Sequence, residues 1–145
     1  MLGTAGIRQR SEQAARLPGY MALADDQPGH IVDGKYALIE EVGVGGMGSV
    51  WRALVYGAGG FRRTVAVKRV HEAYNDYPEV IDMFVEEARV GAMLRHPNIV
   101  QIHDFGGDSE GRYYLVTEWV EGIHFGDYLR SFSRVPGGPP WPLVA

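Results

Sequence analysis

Four glycines within six positions set the strongest constraint on what this 145-residue chain can fold into. They stand in the stretch EEVGVGGMGSVWRA, residues 40–53, between two runs that are typical of β-strands. Because glycine lacks a Cβ, such a stretch turns tightly and lets its backbone amides approach another group closely. The pattern G-x-G-x-x-G occurs in phosphate-binding loops of two unrelated designs and in ordinary turns, so the surrounding sequence has to decide.

Five β-prone runs and one helical run follow one another between residues 35 and 119. The β-prone runs are KYALIEEV, SVWRALVY, TVAVKRV, IVQIHDF and YYLVTEW. Before the last two, PEVIDMFVEEARVGAMLRHPN has a helical period, with Val80, Phe84, Ala88, Gly91 and Leu94 on one stripe. Short turns join the first three strands, which disfavours a parallel β-α-β arrangement. The sequence therefore predicts an α+β fold in which a five-stranded antiparallel sheet carries one main helix.

The composition and net charge exclude several classes of function, among them binding to nucleic acid and to membranes. The chain is 46% hydrophobic and carries a net charge of −4, so neither nucleic acid nor an anionic membrane is expected as a partner. It contains no cysteine, and its five histidines show no metal-ligand spacing, so no metal site is predicted. No apolar run reaches the ~20 residues of a membrane helix. We expect a cytoplasmic protein.

Three interpretations of the glycine loop compete. In a dinucleotide-binding fold the last glycine opens a helix and an acidic residue follows about 20 positions later. Here Gly48 leads into the β-prone run SVW, and the residue 20 positions after it is Lys68. A Walker loop would require Gly-Lys-Ser/Thr, which does not occur in the sequence. A glycine-rich hairpin without function is the third interpretation.

The neighbouring motifs favour a different phosphate-binding design. Protein kinases combine G-x-G-x-x-G-x-V with V-A-I-K on the third strand. This sequence has GVGGMGSV at residues 43–50 and VAVK at residues 65–68. Residues 36 to about 130 therefore resemble the N-terminal lobe of a Ser/Thr protein kinase, and the GxGGMGxVW variant resembles the eukaryotic-type kinases of bacteria.

Helical geometry selects a carboxylate partner for the lysine. Two glutamates are available, Glu86 and Glu87. At 100° per residue Glu87 falls on the apolar stripe of the helix, between Leu94 and Val80, whereas Glu86 falls on the polar side. A carboxylate on a buried face is costly unless it is paired. The kinase resemblance also assigns the partner of Lys68 to Glu87, so we expect this pair in the structure.

The resemblance implies ATP as the ligand, with Mg²⁺ in complete relatives. By this resemblance, Lys68 and Glu87 are the catalytic residues that this chain supplies, and Thr117 is the gatekeeper residue behind the adenine. The backbone of Glu118 and Val120 is expected to bind the adenine edge, with Val42 and Val50 above the ring. The expected ATP-binding residues are Val42, Gly43, Val44, Gly45, Gly46, Met47, Gly48, Ser49, Val50, Ala66, Lys68, Thr117, Glu118 and Val120.

Other motifs of complete kinases do not occur. The sequence has no His-Arg-Asp, and its one Asp-Phe-Gly, starting at Asp104, precedes the hinge. We therefore expect Asp104 to be a strand-end residue without a role in binding magnesium. The expected organisation is a disordered tail at 1–33, the N-lobe and hinge at 34–122, and the start of a truncated C-lobe at 123–145, which consists of a short helix and a Pro/Gly-rich segment.

Two other classes of function stay open. The chain could be a noncatalytic nucleotide-binding or kinase-docking module that uses its sheet and helix as an interaction surface, or a gene fragment. In each case a protein partner could cover the face that meets the C-lobe in complete kinases. On that face we expect Val42, Ala66, Leu94 and Val120 to be partly uncovered.

Overall fold

The computed structural model describes residues 26–132, which form a six-stranded antiparallel sheet with one long helix. The strands are β1 (Ile31–Val32), β2 (Tyr36–Val44), β3 (Gly48–Tyr56), β4 (Arg62–Val70), β5 (Ile102–Gly107) and β6 (Tyr113–Glu118). Helix α1 (Pro78–Met93) lies between β4 and β5, and α2 (Phe125–Ser131) follows β6. The spatial order is β1-β2-β3-β4-β6-β5. The predicted α+β fold is confirmed, and β1 adds a two-residue strand to the five that were predicted.

Each face of the sheet carries its own core, because side chains alternate between faces along a strand. We call one face the outer face; its core includes Val32 of β1. The outer face buries Val32, Tyr36, Leu38, Trp51, Ala53, Val65, Val67, Tyr114 and Val116. The inner face lies against α1 and buries Val70, Phe84, Ala88 and Leu115. Within β4, Val65 and Val67 belong to the outer core, and Ala66 and Lys68 belong to the inner face, as the alternation predicts.

The fold begins before residue 34, where the sequence placed the end of a disordered tail. Val32 is fully buried, and the Asp26 side chain is 1% exposed between the side chains of Arg69 and Arg112. This segment lacks an apolar period, and ion pairs to distant residues hold it instead. Residues 1–25 and 133–145, with the rest of the predicted tail and the Pro/Gly-rich segment, lie outside the described residues.

Helix α1 starts at Pro78, as predicted, but the apolar stripe is only partly covered. Phe84 and Ala88 are buried, whereas Leu94 is 43% exposed and lies one residue beyond the helix in an extended conformation. The helix ends at Met93, ahead of Pro97, which cannot continue a helix and restrains the residue before it. Between residues 26 and 132 no helix is long and apolar enough to span a membrane.

Candidate nucleotide-binding site

Strand pairing brings the predicted site residues to one face of the sheet. Gly43 lies opposite Val50, and Val50 lies opposite Lys68, so the three form a row across β2, β3 and β4. Two residues along β4, Ala66 lies opposite Thr117 of β6. Directly opposed residues of antiparallel strands share a face. The glycine loop, the lysine and Thr117 therefore border the inner face together.

Lys68 and Glu87 form the ion pair that the sequence predicts. The Lys68 ammonium donates to both carboxylate oxygens of Glu87, at 2.6 and 2.9 Å, and lies 5.5 Å from the centre of the Phe84 ring. Buried Phe84 fixes the helix turn from which Glu87 projects. The Glu87 side chain is 49% exposed, which corrects the expectation of a buried carboxylate. Its exposure limits what the pair adds to stability, so its geometry points to a positioning role.

The glycine loop is closed by its own backbone and open to solvent at its tip. The Gly45 amide donates to the Gly48 carbonyl at 2.8 Å. A Cβ on Gly48 would stand 1.8 Å from the Arg69 carbonyl oxygen, so the chain can pass β4 there only as glycine. Gly45 and Gly46 are exposed, and a Cβ on Gly46 would have no neighbour within 4 Å. Such an open stretch of backbone can present its amides to phosphate oxygens.

Two residues of the predicted set direct their side chains away from the site. The Ser49 side chain is buried on the outer face, where it accepts a hydrogen bond of 2.9 Å from the Trp51 indole. Val44 lies opposite Ser49 and shares that face. Side chains alternate along β3, so Ser49 points away from the face that carries its neighbour Val50, and Val44 follows the face of its pairing partner Ser49. These two residues can border a nucleotide through their backbone alone.

The hinge residues, Thr117 to Val120, already use some of their hydrogen-bonding groups for contacts within the sheet. The Glu118 amide donates to the Gln101 carbonyl at 2.9 Å, so only the Glu118 carbonyl remains for an adenine edge. That carbonyl also accepts the Thr117 hydroxyl at 3.2 Å. Val120 is 60% exposed, and half-buried Val42 lies at an irregularity in the β2–β3 pairing.

Asp104 lies on the opposite face from Lys68 and inside a strand, which corrects the expectation of a strand-end residue: the strand continues to Gly107. It belongs to β5, pairs with Val116 of the outer core, and accepts the Tyr36 hydroxyl at 2.6 Å. Both carboxylate oxygens of Glu87 are engaged by Lys68. Neither Asp104 nor Glu87 therefore fits a magnesium site beside the lysine.

One residue that contacts the loop is not singled out by any sequence pattern. The His71 amide donates to the Met47 carbonyl at 3.1 Å, and its imidazole Nε2 lies 3.1 Å from the Gly45 carbonyl oxygen. Its position three residues after Lys68 is the one sequence signal that could have drawn attention to it.

An antiparallel sheet whose third long strand pairs its lysine with a helix carboxylate defines the N-lobe fold of protein kinases. Residues 36–136 match the family model for protein tyrosine and serine/threonine kinases. The chain belongs to this protein kinase family.

Curated relatives include both named kinase classes. The chain is 40% identical over 111 residues to the tyrosine-protein kinase MasK of Myxococcus xanthus, covering 77% of this chain and 17% of that protein. It is also 40% identical over 111 residues to the serine/threonine-protein kinase PknA of Mycobacterium tuberculosis, covering 74% of this chain and 25% of that protein. The chain thus spans a quarter or less of these two relatives.

Solved kinase structures match the fold. The PknI kinase domain of Mycobacterium tuberculosis superposes with a TM-score of 0.60 at 28% sequence identity. The match covers 82% of this chain and 45% of the solved chain. The similarity therefore extends over less than half of a kinase domain.

Proposed function

We propose that residues 34–122 are the ATP-binding lobe and hinge of a protein kinase. The observation that carries this proposal is the Lys68–Glu87 pair, with N–O distances of 2.6 and 2.9 Å, on the same sheet face as the glycine loop. A positive charge held at a fixed place beside open backbone amides is suited to the phosphates of a nucleotide.

Each proposed contact follows from the position of a residue in the sheet. Lys68 supplies a compact positive charge to the α- and β-phosphates, and Glu87 orients it. The Gly45 amide is used within the loop by the Gly48 carbonyl, whereas Gly46 is exposed with no heavy atom within 4 Å of a Cβ position, which suits the Gly46 backbone to the phosphate oxygens. Ala66, beside Thr117, is small enough to leave room for a flat adenine ring.

The proposed reaction of the complete protein is transfer of the ATP γ-phosphoryl group to a protein hydroxyl. We assign the acceptor to serine and threonine, in line with the named serine/threonine kinases among the relatives. Catalysis in this reaction comes from positioning together with metal ions and a base that orient the nucleophile. Residues 34–122 are proposed to supply the nucleotide-binding part alone, and ATP binding without transfer is expected of the chain.

Nucleotide titration with a matched pair of lysine variants tests the proposal. Lys68→Met removes the charge beside the loop, whereas Lys35→Met removes a 54%-exposed lysine that pairs with Asp33 at 2.9 Å. We expect weak ATP binding by calorimetry, because one lobe orders the ligand with few contacts below it. Lys68→Met should weaken it at least ~10-fold, the value of a lost charge-assisted contact, and Lys35→Met should not. Binding that is indifferent to Lys68→Met would refute the site.

Transfer is tested separately with radiolabelled ATP and a generic protein substrate. No incorporation of label above background is expected from the purified chain. Incorporation that disappears in Lys68→Met would show that the chain carries out the whole reaction by itself.

A noncatalytic interaction module is the second candidate, favoured by one observation. Exposed apolar side chains follow the end of α1 and the hinge, namely Leu94, Ile99, Val100, Val120 and Ile123, all at least 40% exposed. Solvent-facing apolar groups in this number suit a surface that another protein covers. Unchanged ATP titration in Lys68→Met would favour this candidate over the nucleotide-binding lobe.

A further inference from the structure

His71 contacts the glycine loop at two separate points. Its backbone amide donates to the Met47 carbonyl at 3.1 Å. Its imidazole Nε2 lies 3.1 Å from the Gly45 carbonyl oxygen. A carbonyl oxygen only accepts hydrogen bonds, so Nε2 carries the proton and donates. Two alternate carbonyls of the loop are thereby tied to a single residue.

The loop itself has little else to hold its tip. Gly45 and Gly46 are exposed, and at Gly46 there is no heavy atom within 4 Å of a Cβ position. The Gly45 amide closes the loop onto the Gly48 carbonyl at 2.8 Å, which fixes its shape but not its angle to the sheet. The two contacts of His71 join this tip to the end of β4 and so restrain that angle.

His71 is also well placed to relate the loop to the lysine. It directly follows β4, three residues after Lys68, so a rigid stretch of strand separates the two. Its carbonyl accepts the Tyr74 amide at 2.9 Å, and the two rings lie 6.3 Å apart. Tyr74 in turn packs against the inner core that contains Phe84. The residue that holds the loop is therefore anchored to the same core that supports the Lys68–Glu87 pair.

We propose that His71 is a positioning residue that holds the glycine loop at a fixed distance from Lys68. This role rests on the proposed function in that the positioned amides serve a nucleotide phosphate. The side chain acts through its Nε2–H donor, and the backbone contact to Met47 sets where that donor meets the loop. A side chain that places an N–H at the same point can replace the imidazole, and an apolar one cannot.

Three variants separate this role from general stability. His71→Leu removes the donor, and His71→Gln keeps an N–H group near the place of Nε2. His103→Leu is the matched control, because His103 is an exposed histidine on β5 with no hydrogen bond to the loop. NMR amide exchange is measured at Gly45 and His71 without nucleotide, since both amides donate into the loop region. ATP affinity is then measured by calorimetry.

We expect His71→Leu to speed exchange at both amides and to weaken ATP binding by about three- to tenfold, the factor for one lost hydrogen bond. His71→Gln should restore most of the exchange protection and most of the ATP affinity, and His103→Leu should match the wild type in both measurements. Unchanged amide exchange in His71→Leu would overturn the proposal. Amide exchange in His71→Gln that is as fast as in His71→Leu would also overturn it. If His71→Leu does not fold, His71→Glu takes its place in the exchange measurement, because it matches Gln in shape and lacks the donor. If the wild type binds no ATP, the proposed function fails while the exchange data still decide the role of His71.

Discussion

At the scale of single residues, the glycines of the loop have different physical reasons to be glycine. Gly48 passes so close to β4 that a Cβ would stand 1.8 Å from the Arg69 carbonyl and 3.2 Å from the Val70 Cα. Backbone atoms cannot move aside as a flexible side chain can. Gly46 has open space around it, so a side chain there would not clash with the protein itself. It would instead hinder a ligand that approaches the backbone from solvent.

The substitutions Gly48→Ala and Gly46→Ala should therefore differ in stability. Gly48→Ala forces β3 and β4 apart, and we expect a loss of about 1–3 kcal/mol or more in the free energy of unfolding. Gly46→Ala should stay within about 0.5 kcal/mol of the wild type. Urea unfolding followed by circular dichroism measures both. Equal stability of the two variants would contradict the close packing of Gly48 on β4.

At the scale of elements, the segment before β1 is joined to the sheet by buried ion pairs. The Asp26 carboxylate contacts Arg69 of β4 at 3.3 Å and also Arg112, which directly precedes β6. Asp108, after β5, completes the group by accepting from Arg69 at 2.6 Å. The two arginines are at most 2% exposed and the Asp26 side chain is 1% exposed. One aspartate thus links residues that lie 43 and 86 positions away along the chain.

Asp26→Ala should be one of the most destabilising single changes in this fold. Removing one member of a buried ion pair leaves uncompensated charge, at a typical cost of about 3–5 kcal/mol. Glu86→Ala is the control, because Glu86 pairs with Arg89 on the solvent side of α1 and should barely change stability. Thermal and urea unfolding of both variants test this. If Asp26→Ala melts like Glu86→Ala, the ion pairs of Asp26 do not stabilise the fold.

At the scale of the whole molecule, two carboxylates have a lowered pKa that makes stability depend on pH in acid, Asp33 and Asp108. Hydrogen bonds from Lys35 and then Tyr114 hold the pKa of Asp33 below its usual range. Burial alone would raise the pKa of Asp108, but hydrogen bonds from Arg69 and backbone amides lower it overall. A lowered folded-state pKa stabilises the protein above the unfolded value of about 3.9, and this contribution is lost as pH falls through the folded-state pKa.

We therefore expect the urea midpoint to fall steadily below about pH 4. Asp108→Asn should lower stability at neutral pH and reduce the acid slope, because one of the responsible groups no longer titrates. Urea unfolding across an acid pH series measures this. An unchanged slope in Asp108→Asn would show that other groups set the acid limit.

In alkaline solution stability is expected to fall as pH rises, because two tyrosines have a raised pKa in the folded state. Burial, followed by hydrogen bonding to Asp104, raises the pKa of Tyr36, and burial with a hydrogen bond to Asp33 does the same for Tyr114. A raised folded-state pKa stabilises the fold below the unfolded value of about 10, and this contribution is lost as pH rises through the folded-state pKa. Tyr36→Phe should therefore show a shallower decline of the urea midpoint above about pH 10. A decline as steep as that of the wild type would exclude Tyr36 as a cause.

The apolar surface predicts how the purified chain behaves in solution. Val120 is 60% exposed and Ile123 is 71% exposed, and Leu94 is also among the exposed apolar groups. Covering about 400 Å² of apolar surface is worth on the order of 10 kcal/mol, comparable to the stability of a small domain. We expect self-association in analytical ultracentrifugation at tens of micromolar, reduced by Ile123→Ser. A monomer with a sharp, reversible melt would show that this face needs no cover.

Much of the fold follows from local pattern. Alternation in VAVK places Lys68 and Ala66 together, and the helical period places Glu87 toward the sheet, so the Lys68–Glu87 pair is predictable from the sequence. The glycine spacing likewise locates the loop between two strands. In each case the deciding interactions lie within one element or between an element and its neighbour, where periodicities of 2.0 and 3.6 residues carry the information.

Contacts between distant residues emerge only when the chain is folded. The link of Asp26 to Arg69 and Arg112 leaves no periodic signal, because a buried charge looks like a surface charge in sequence. The same holds for His71, whose contact with Gly45 depends on how the loop folds back over the end of β4. The sequence alone specifies the five longer strands, helix α1 and which face of β4 carries the lysine, whereas the two-residue strand β1 leaves no such pattern. Long-range packing and charge pairing decide where the fold begins and what holds its glycine loop, because those energies depend on distances that no local pattern encodes.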